Sequence, residues 1–222
     1  MSRTRLKVCC ISSVEEARLA VDRGADALGL VGQMPTGPGV IGDELAREIA
    51  RSVPLPVAAI LLTSRLTAND IIDHARFVGV STVQIVRHVE PSVHERMVEL
   101  APWLRRLQVL HVEDESVTAL ATAYEPHVDA VLLDSGRPLV SELGGTGRVH
   151  DWQLSAKIVA VSNRPVFLAG GLTHMNVGLA IKSVLPFALD VCSGVRSGGQ
   201  LDRDRLDAFV AAVRNADLAL AR

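Results

Sequence analysis

Leu6-Lys7-Val8-Cys9-Cys10-Ile11-Ser12-Ser13-Val14-Glu15-Glu16-Ala17-Arg18-Leu19-Ala20-Val21-Asp22-Arg23-Gly24-Ala25-Asp26-Ala27-Leu28-Gly29-Leu30-Val31 holds one strand–helix–strand unit. The runs Leu6–Ile11 and Asp26–Val31 are short and apolar, as strands buried on both faces are. Between them Ser13 is followed three residues later by Glu16, a capping box that opens a helix. Gly24 closes that helix in the usual C-terminal way. The unit repeats along the chain. Strand-like runs recur at Pro56–Leu62, Thr82–Val86, Leu107–Val112, Asp129–Asp134, Val166–Leu168 and Ala188–Cys192. Helical spacing follows each strand, at Ser13–Arg23, Gly42–Val53, Thr67–Val78, Pro91–Leu100, Glu113–Tyr124, Asp151–Val161, Thr173–Val184 and Asp202–Asn215. Eight strands alternating with eight helices in 222 residues is the minimum for a (β/α)8 TIM barrel. A doubly wound open sheet competes, but it needs fewer strands and a glycine fingerprint after the first one. Here the first strand runs into Cys9-Cys10-Ile11. No linker-like change of composition appears, so residues 1–222 are expected to form a single (β/α)8 domain.

Composition agrees with a buried parallel sheet. Apolar residues make up 48% of the chain and aromatics only 3%, so the core is aliphatic. A net charge of −2 offers no basic face to nucleic acid. Cys9 and Cys10 are adjacent, which a disulfide framework rarely uses, so reduced cytoplasmic thiols are expected. Neither an apolar leader nor a membrane-length run is present, so no membrane partner is expected. The seven histidines lack zinc-site spacing, and no metal is expected.

In a barrel of this kind the chemistry sits where strands end and βα loops begin. Two strand ends carry groups able to move a proton, Cys9 and Asp134, and both would face one mouth. A cysteine in a strand is by itself most often a small buried hydrophobe. Lys7 shares the Cys9 face, however, and a cation there favours a thiolate. A lysine inside a barrel needs a partner, and Asp190 on the adjoining eighth strand is the candidate. Aspartate at a strand end is often only a turn residue, but the loop from Ser135 to Gly147 is long and glycine-bearing. Gly170-Gly171 after the seventh strand and Ser193-Gly194 after the eighth stand where many barrels hold phosphate on backbone N–H groups.

Several motifs together resemble phosphoribosylanthranilate isomerase over nearly the whole chain. They are Lys7-Val8-Cys9, Gly24-Ala25-Asp26-Ala27-Leu28-Gly29, Val83-Gln84, Leu132-Leu133-Asp134, Gly144-Gly145-Thr146-Gly147 with Asp151-Trp152, Leu168-Ala169-Gly170-Gly171-Leu172, Asn176-Val177 and Asp190-Val191-Cys192-Ser193-Gly194-Val195. The related histidine-pathway isomerases carry aspartate where Cys9 stands and are a poorer match. The resemblance implies a cofactor-free Amadori rearrangement in tryptophan biosynthesis. Asp134 would be the general acid that opens the furanose ring, and Cys9 the general base that takes the C2′ proton. Gly170, Gly171, Ser193 and Gly194 would bind the phosphate. Lys7, Gln84, Gly145, Asp190, Arg87 and Arg196 would surround the rest of the substrate. The expected partner is a small-molecule phosphosugar, and the chain is expected to act as a monomer or homodimer.

Departures from the family pattern cluster where the aryl amine should sit. After the second strand Thr36-Gly37-Pro38-Gly39 replaces the family's Ser-Pro-Arg, whose arginine reads the anthranilate carboxylate. Val86-Arg87 replace His-Gly after the fourth strand, and Cys10 replaces a glycine after the base. Arg196 and Leu201 replace Glu and Lys. Arg87 or Arg196 is expected to supply the missing charge. Two alternatives stand beside the isomerase proper. One is a relative acting on another phosphoribosyl amine in specialised metabolism; the other is a non-catalytic phosphosugar-binding barrel.

Overall fold

The computed structural model describes residues 3–34, 37–135 and 150–221. Eight parallel strands close into a barrel in chain order, β1 pairing with β8. They are β1 (Arg5–Val8), β2 (Ala27–Val31), β3 (Ala58–Thr63), β4 (Thr82–Ile85), β5 (Arg105–His111), β6 (Ala130–Asp134), β7 (Val166–Leu168) and β8 (Ala188–Val191). The helices are α1 (Val14–Asp22), α2 (Asp43–Ser52), α3 (Ala68–Val78), α4 (Pro91–Leu100), α5 (Ser116–Tyr124), α6 (Trp152–Val161), α7 (Val177–Val184) and α8 (Arg203–Leu220). The expected barrel is therefore observed. No helix among the described residues is long and apolar enough to cross a membrane.

Period-two alternation sorts the strand residues into two shells. Outward residues such as Val8, Leu28, Leu61, Val83, Leu110, Leu133 and Val191 pack against the helices in one large aliphatic core. Inward residues Cys9, Val31, Leu62, Val86, Leu107, Val109 and Leu132 form a second, smaller cluster in the lumen. Polar side chains share that lumen: Lys7, Gln84 and Asp190 are all buried.

Local chemistry sets the helix starts. Ser13 Oγ accepts the Glu16 N–H, and Glu16 Oε2 accepts the Ser12 N–H, so the box closes one residue early. Thr67 Oγ1 caps α3 and Gly79 ends it at φ 82°. Several boundaries differ from the sequence reading. β1 stops at Val8 because Cys10 turns the backbone to φ 63°. Strand-like pairing nevertheless persists through Cys9, whose N–H reaches the Val191 carbonyl. α7 begins at Val177 rather than Thr173, because Asn176 Oδ1 takes the Thr173 N–H and holds the preceding residues in a loop. α8 runs on to Leu220, since buried Phe209, Val213 and Ala216 continue its apolar face. A short hairpin, β9 (Arg196–Ser197) with β10 (Gln200–Leu201), was not foreseen. Gly198 and Gly199, both at positive φ, form its turn.

Candidate active site

The C-terminal ends of β1, β6 and β8 bring Lys7, Cys9, Asp134 and Asp190 to the same end of the barrel. Lys7 and Asp190 are register partners on β1 and β8. The Lys7 ammonium donates to Asp190 Oδ2 at 2.8 Å and to Cys9 Sγ at 3.4 Å. It is completely buried. Burial alone would lower its proton affinity, but attraction to Asp190 and Cys9 raises it above the ordinary lysine value. Lys7 is thus a fixed cation in a dry lumen. Gly29 on β2 makes the arrangement possible: a Cβ there would lie 2.6 Å from Cys9 Sγ and 3.0 Å from Lys7 Nζ.

Asp134 ends β6, two residues beyond the lumen residue Leu132, and so faces inward. Its Oδ1 accepts the Ser135 N–H at 2.7 Å. Burial pushes its proton affinity above the usual carboxylate range, and Asp190 adds to the shift. The Ser135 N–H, His111 and Lys7 oppose it. A carboxyl that holds its proton is suited to act as an acid.

All three cysteines are free and lie around this mouth. Cys192 and Cys9 lie beside the Cys10 thiol, and with burial they raise its proton affinity. Cys192 is shifted the opposite way, chiefly by Cys10. Cys10 also donates to the Pro38 carbonyl at 3.6 Å, tying the loop after β2 to the end of β1.

The loops after β7 and β8 are built from backbone. Gly170 and Gly171 adopt φ 83° and 61°, a conformation that favours glycine. Gly194 touches the neighbouring loop so closely that a Cβ would fall 1.9 Å from the Leu172 carbonyl oxygen. Between them lies a cavity of about 410 Å³ lined by Gly171, Thr173, His174, Met175, Ser193, Gly194 and Arg205. Gly170 stands outside that lining and packs toward Ser135 instead. The residues lining the cavity come from the Gly171–Met175 loop, from a short 3₁₀ turn, Ser193–Val195, and from Arg205 on α8, and none from α7, which begins at Val177.

The remaining residues named from sequence divide. Gln84 points into the lumen, and its Oε1 is buried without a partner among the described residues. Arg87 is exposed after β4. Arg196 is engaged elsewhere. Its guanidinium bonds Glu16 at 2.9 and 3.0 Å, the Gly199 carbonyl at 2.9 Å and the carbonyls of Cys9 and Cys10. Glu16 also accepts the Leu201 N–H at 2.7 Å. Although burial alone would raise it, these bonds hold the Glu16 carboxyl below its ordinary range. The helix-capping Glu16 and Arg196 therefore clamp the end of β1 to the β9–β10 hairpin. Gly145 lies outside the described residues.

Sequence reasoning missed three residues here. Gly29 interrupts an aliphatic strand, a usual sign of close approach. Arg205 places a cation in the first turn of α8, against the helix dipole. His111 continues the inward alternation Leu107, Val109 on β5.

Residues 6–212 match the family model of N-(5′-phosphoribosyl)anthranilate isomerase. The chain is 37% identical over 216 residues to N-(5′-phosphoribosyl)anthranilate isomerase 2 of Methanosarcina mazei, covering 95% of this chain and 94% of that one. It is 38% identical over 221 residues to the Haloferax volcanii isomerase, covering 96% and 94%. The crystal structure of the Thermotoga maritima isomerase superposes with TM-score 0.82 at 31% identity, covering 96% and 99%. A phosphoribosylanthranilate isomerase in complex with reduced 1-(o-carboxyphenylamino)-1-deoxyribulose 5-phosphate superposes with TM-score 0.79 at 29% identity, with the same coverage. A closed eight-stranded barrel, matched over nearly its whole length by this model and by these relatives, belongs to the N-(5′-phosphoribosyl)anthranilate isomerase family.

Proposed function

We propose that the chain converts N-(5-phosphoribosyl)anthranilate to the 1-deoxyribulose 5-phosphate product by general acid–base catalysis, in tryptophan biosynthesis in the cytoplasm. The observation that carries this reading is Lys7 Nζ lying 3.4 Å from Cys9 Sγ, with the half-buried Asp134 at the same end of the barrel. Asp134 protonates the furanose oxygen while the amine nitrogen pushes the C1′–O bond open, leaving a protonated Schiff base. Cys9, as thiolate beside the Lys7 cation, then removes the C2′ proton. The electrons of that C–H bond form the C1′–C2′ double bond of an enolamine, which tautomerises to the ketone. The iminium acidifies the C2′ proton, so the scheme calls on no cofactor. Gly171, Ser193 and Gly194 hold the 5′-phosphate on their amides, with Gly170 shaping the loop and Arg205 adding charge at the rim.

Arg196 is bound to Glu16, so Arg87 is the better candidate to read the aryl carboxylate. That same pairing, with no arginine in Thr36-Gly37-Pro38-Gly39, favours the second reading, a relative acting on another phosphoribosyl amine. The experiment is a fluorescence assay on freshly made phosphoribosylanthranilate, paired with complementation of a tryptophan auxotroph. Turnover and growth are expected. Absence of both, with activity on another phosphoribosyl amine, selects the second reading. If the first holds, Pro38→Arg is expected to lower KM for phosphoribosylanthranilate.

A further inference from the structure

His111 is a lumen residue that the acid–base scheme leaves without a task. It follows Leu107 and Val109 in the inward alternation of β5, and its register partner on β6 is Asp134. Register partners in a parallel sheet project to the same face. The His111 ring lies 3.3 Å through Nε2 from the Val86 carbonyl oxygen. A carbonyl only accepts, so Nε2 carries the hydrogen and Nδ1 of the neutral ring holds a lone pair. Nδ1 is buried and has no hydrogen-bond partner among the described residues. Burying an unsatisfied acceptor is costly. Beside a carboxyl that must alternate between protonated and ionised forms, such an atom has a use.

We propose that His111 is a positioning residue for the acid: its Nδ1 takes up a proton as Asp134 gives one away, leaving an imidazolium beside the new carboxylate. The inference rests on Asp134 being the acid. The proton on Nδ1 comes from a buffer acid at the solvent-facing mouth, whose conjugate base stays in solution, and it returns to that base when Asp134 regains its own proton. The charged groups facing Asp134 are His111 from β5, Lys7 from β1 and Asp190 from β8. A charged His111 and Lys7 both favour the carboxylate, and Asp190 disfavours it. Lys7 is fixed by Asp190 and Cys9, so among these groups His111 is the cation that can appear and disappear during turnover.

Coupling of this kind is reciprocal, which makes it testable without turnover. The His111 ring is titrated by ¹⁵N NMR in the intact protein, its signals assigned by their loss in His111→Asn. Asp134→Asn removes the facing carboxylate, and the His111 midpoint is expected to fall by at least ~0.5 pH unit. An unmoved midpoint overturns the proposal. Kinetics give a second arm. His111→Leu is expected to lower kcat about 10-fold with KM unchanged. The kcat limb belonging to Asp134 is expected to move up by about one pH unit, because a carboxyl losing a neighbouring cation holds its proton more tightly. A purely structural role would lower protein yield and leave the limb in place, and that result also overturns the proposal. Asp134→Asn assayed alongside separates the two failures: if it remains active, the acid assignment itself is wrong.

Discussion

The two halves of the site are made from different materials. The half at the ends of β1, β6 and β8 is made of ionisable side chains: buried Lys7, Cys9 and Asp190, and half-buried Asp134. The half after β7 and β8 is made of backbone, with glycines at positive φ and a loop contact that leaves no room for a Cβ at Gly194. The first half concentrates charge where water is excluded, so each group depends on its partner. The second, proposed to hold the phosphate on its amides, depends on loop shape. Changes in the first should therefore act on turnover and stability, and changes in the second on binding.

The largest effect is expected from breaking the buried pair. Lys7→Met leaves Asp190 charged and unpartnered in the lumen, and should destabilise the fold by about 3–5 kcal/mol in urea unfolding. A loss under 1 kcal/mol would mean that water reaches Asp190 and the lumen is not dry. Next come the groups proposed to react. Cys9→Ser and Asp134→Asn should each lower kcat at least ~10²-fold, with KM changing far less.

Asp134→Asn should also separate activity from stability. The folded protein holds the Asp134 proton more tightly than the unfolded chain does. The stability tied to that proton is complete below the ordinary aspartate range and is lost as pH rises through the higher folded value. Above that folded value wild type therefore carries the cost of an ionised carboxylate that asparagine lacks. The variant should gain stability over wild type as pH rises through that value, with the difference shrinking as pH falls. Thermal unfolding across pH checks the sign.

Smaller changes probe the backbone half. Gly194→Ala must push the loop after β8 away from the Leu172 carbonyl. Inorganic phosphate should bind at least ~10-fold more weakly by titration calorimetry, a loss of about 1.4 kcal/mol, while kcat is retained at saturating substrate. Smallest is Cys10→Gly. Relief of the left-handed backbone is worth about 1–2 kcal/mol, and losing the thiol's bond to Pro38 and its contact with Cys192 offsets much of it. Net stability should shift by no more than about 1 kcal/mol.

Much of this was legible in the sequence because it is periodic or local. Alternating aliphatic runs, the Ser13 and Thr67 caps and the glycine stops mark the barrel, and the lone in-strand lysine points to its carboxylate partner on β8. What escaped depends on contacts between distant segments. Arg196 looks like a spare cation until Glu16, 180 positions away, is seen beside it. Asn176 looks like a helix residue until its side chain is found holding the Gly171–Thr173 loop. His111 stood among seven histidines with nothing local to mark it, because its meaning lies in the register of β5 against β6.

The most direct measurement is the initial rate of fluorescence change when freshly made phosphoribosylanthranilate meets wild type, Cys9→Ser and Asp134→Asn at equal concentration. Rapid conversion by wild type is expected, with both variants slower by at least ~10²-fold while still binding inorganic phosphate as wild type does. Near-normal conversion by either variant would contradict an acid–base pair of Cys9 and Asp134 across the barrel mouth.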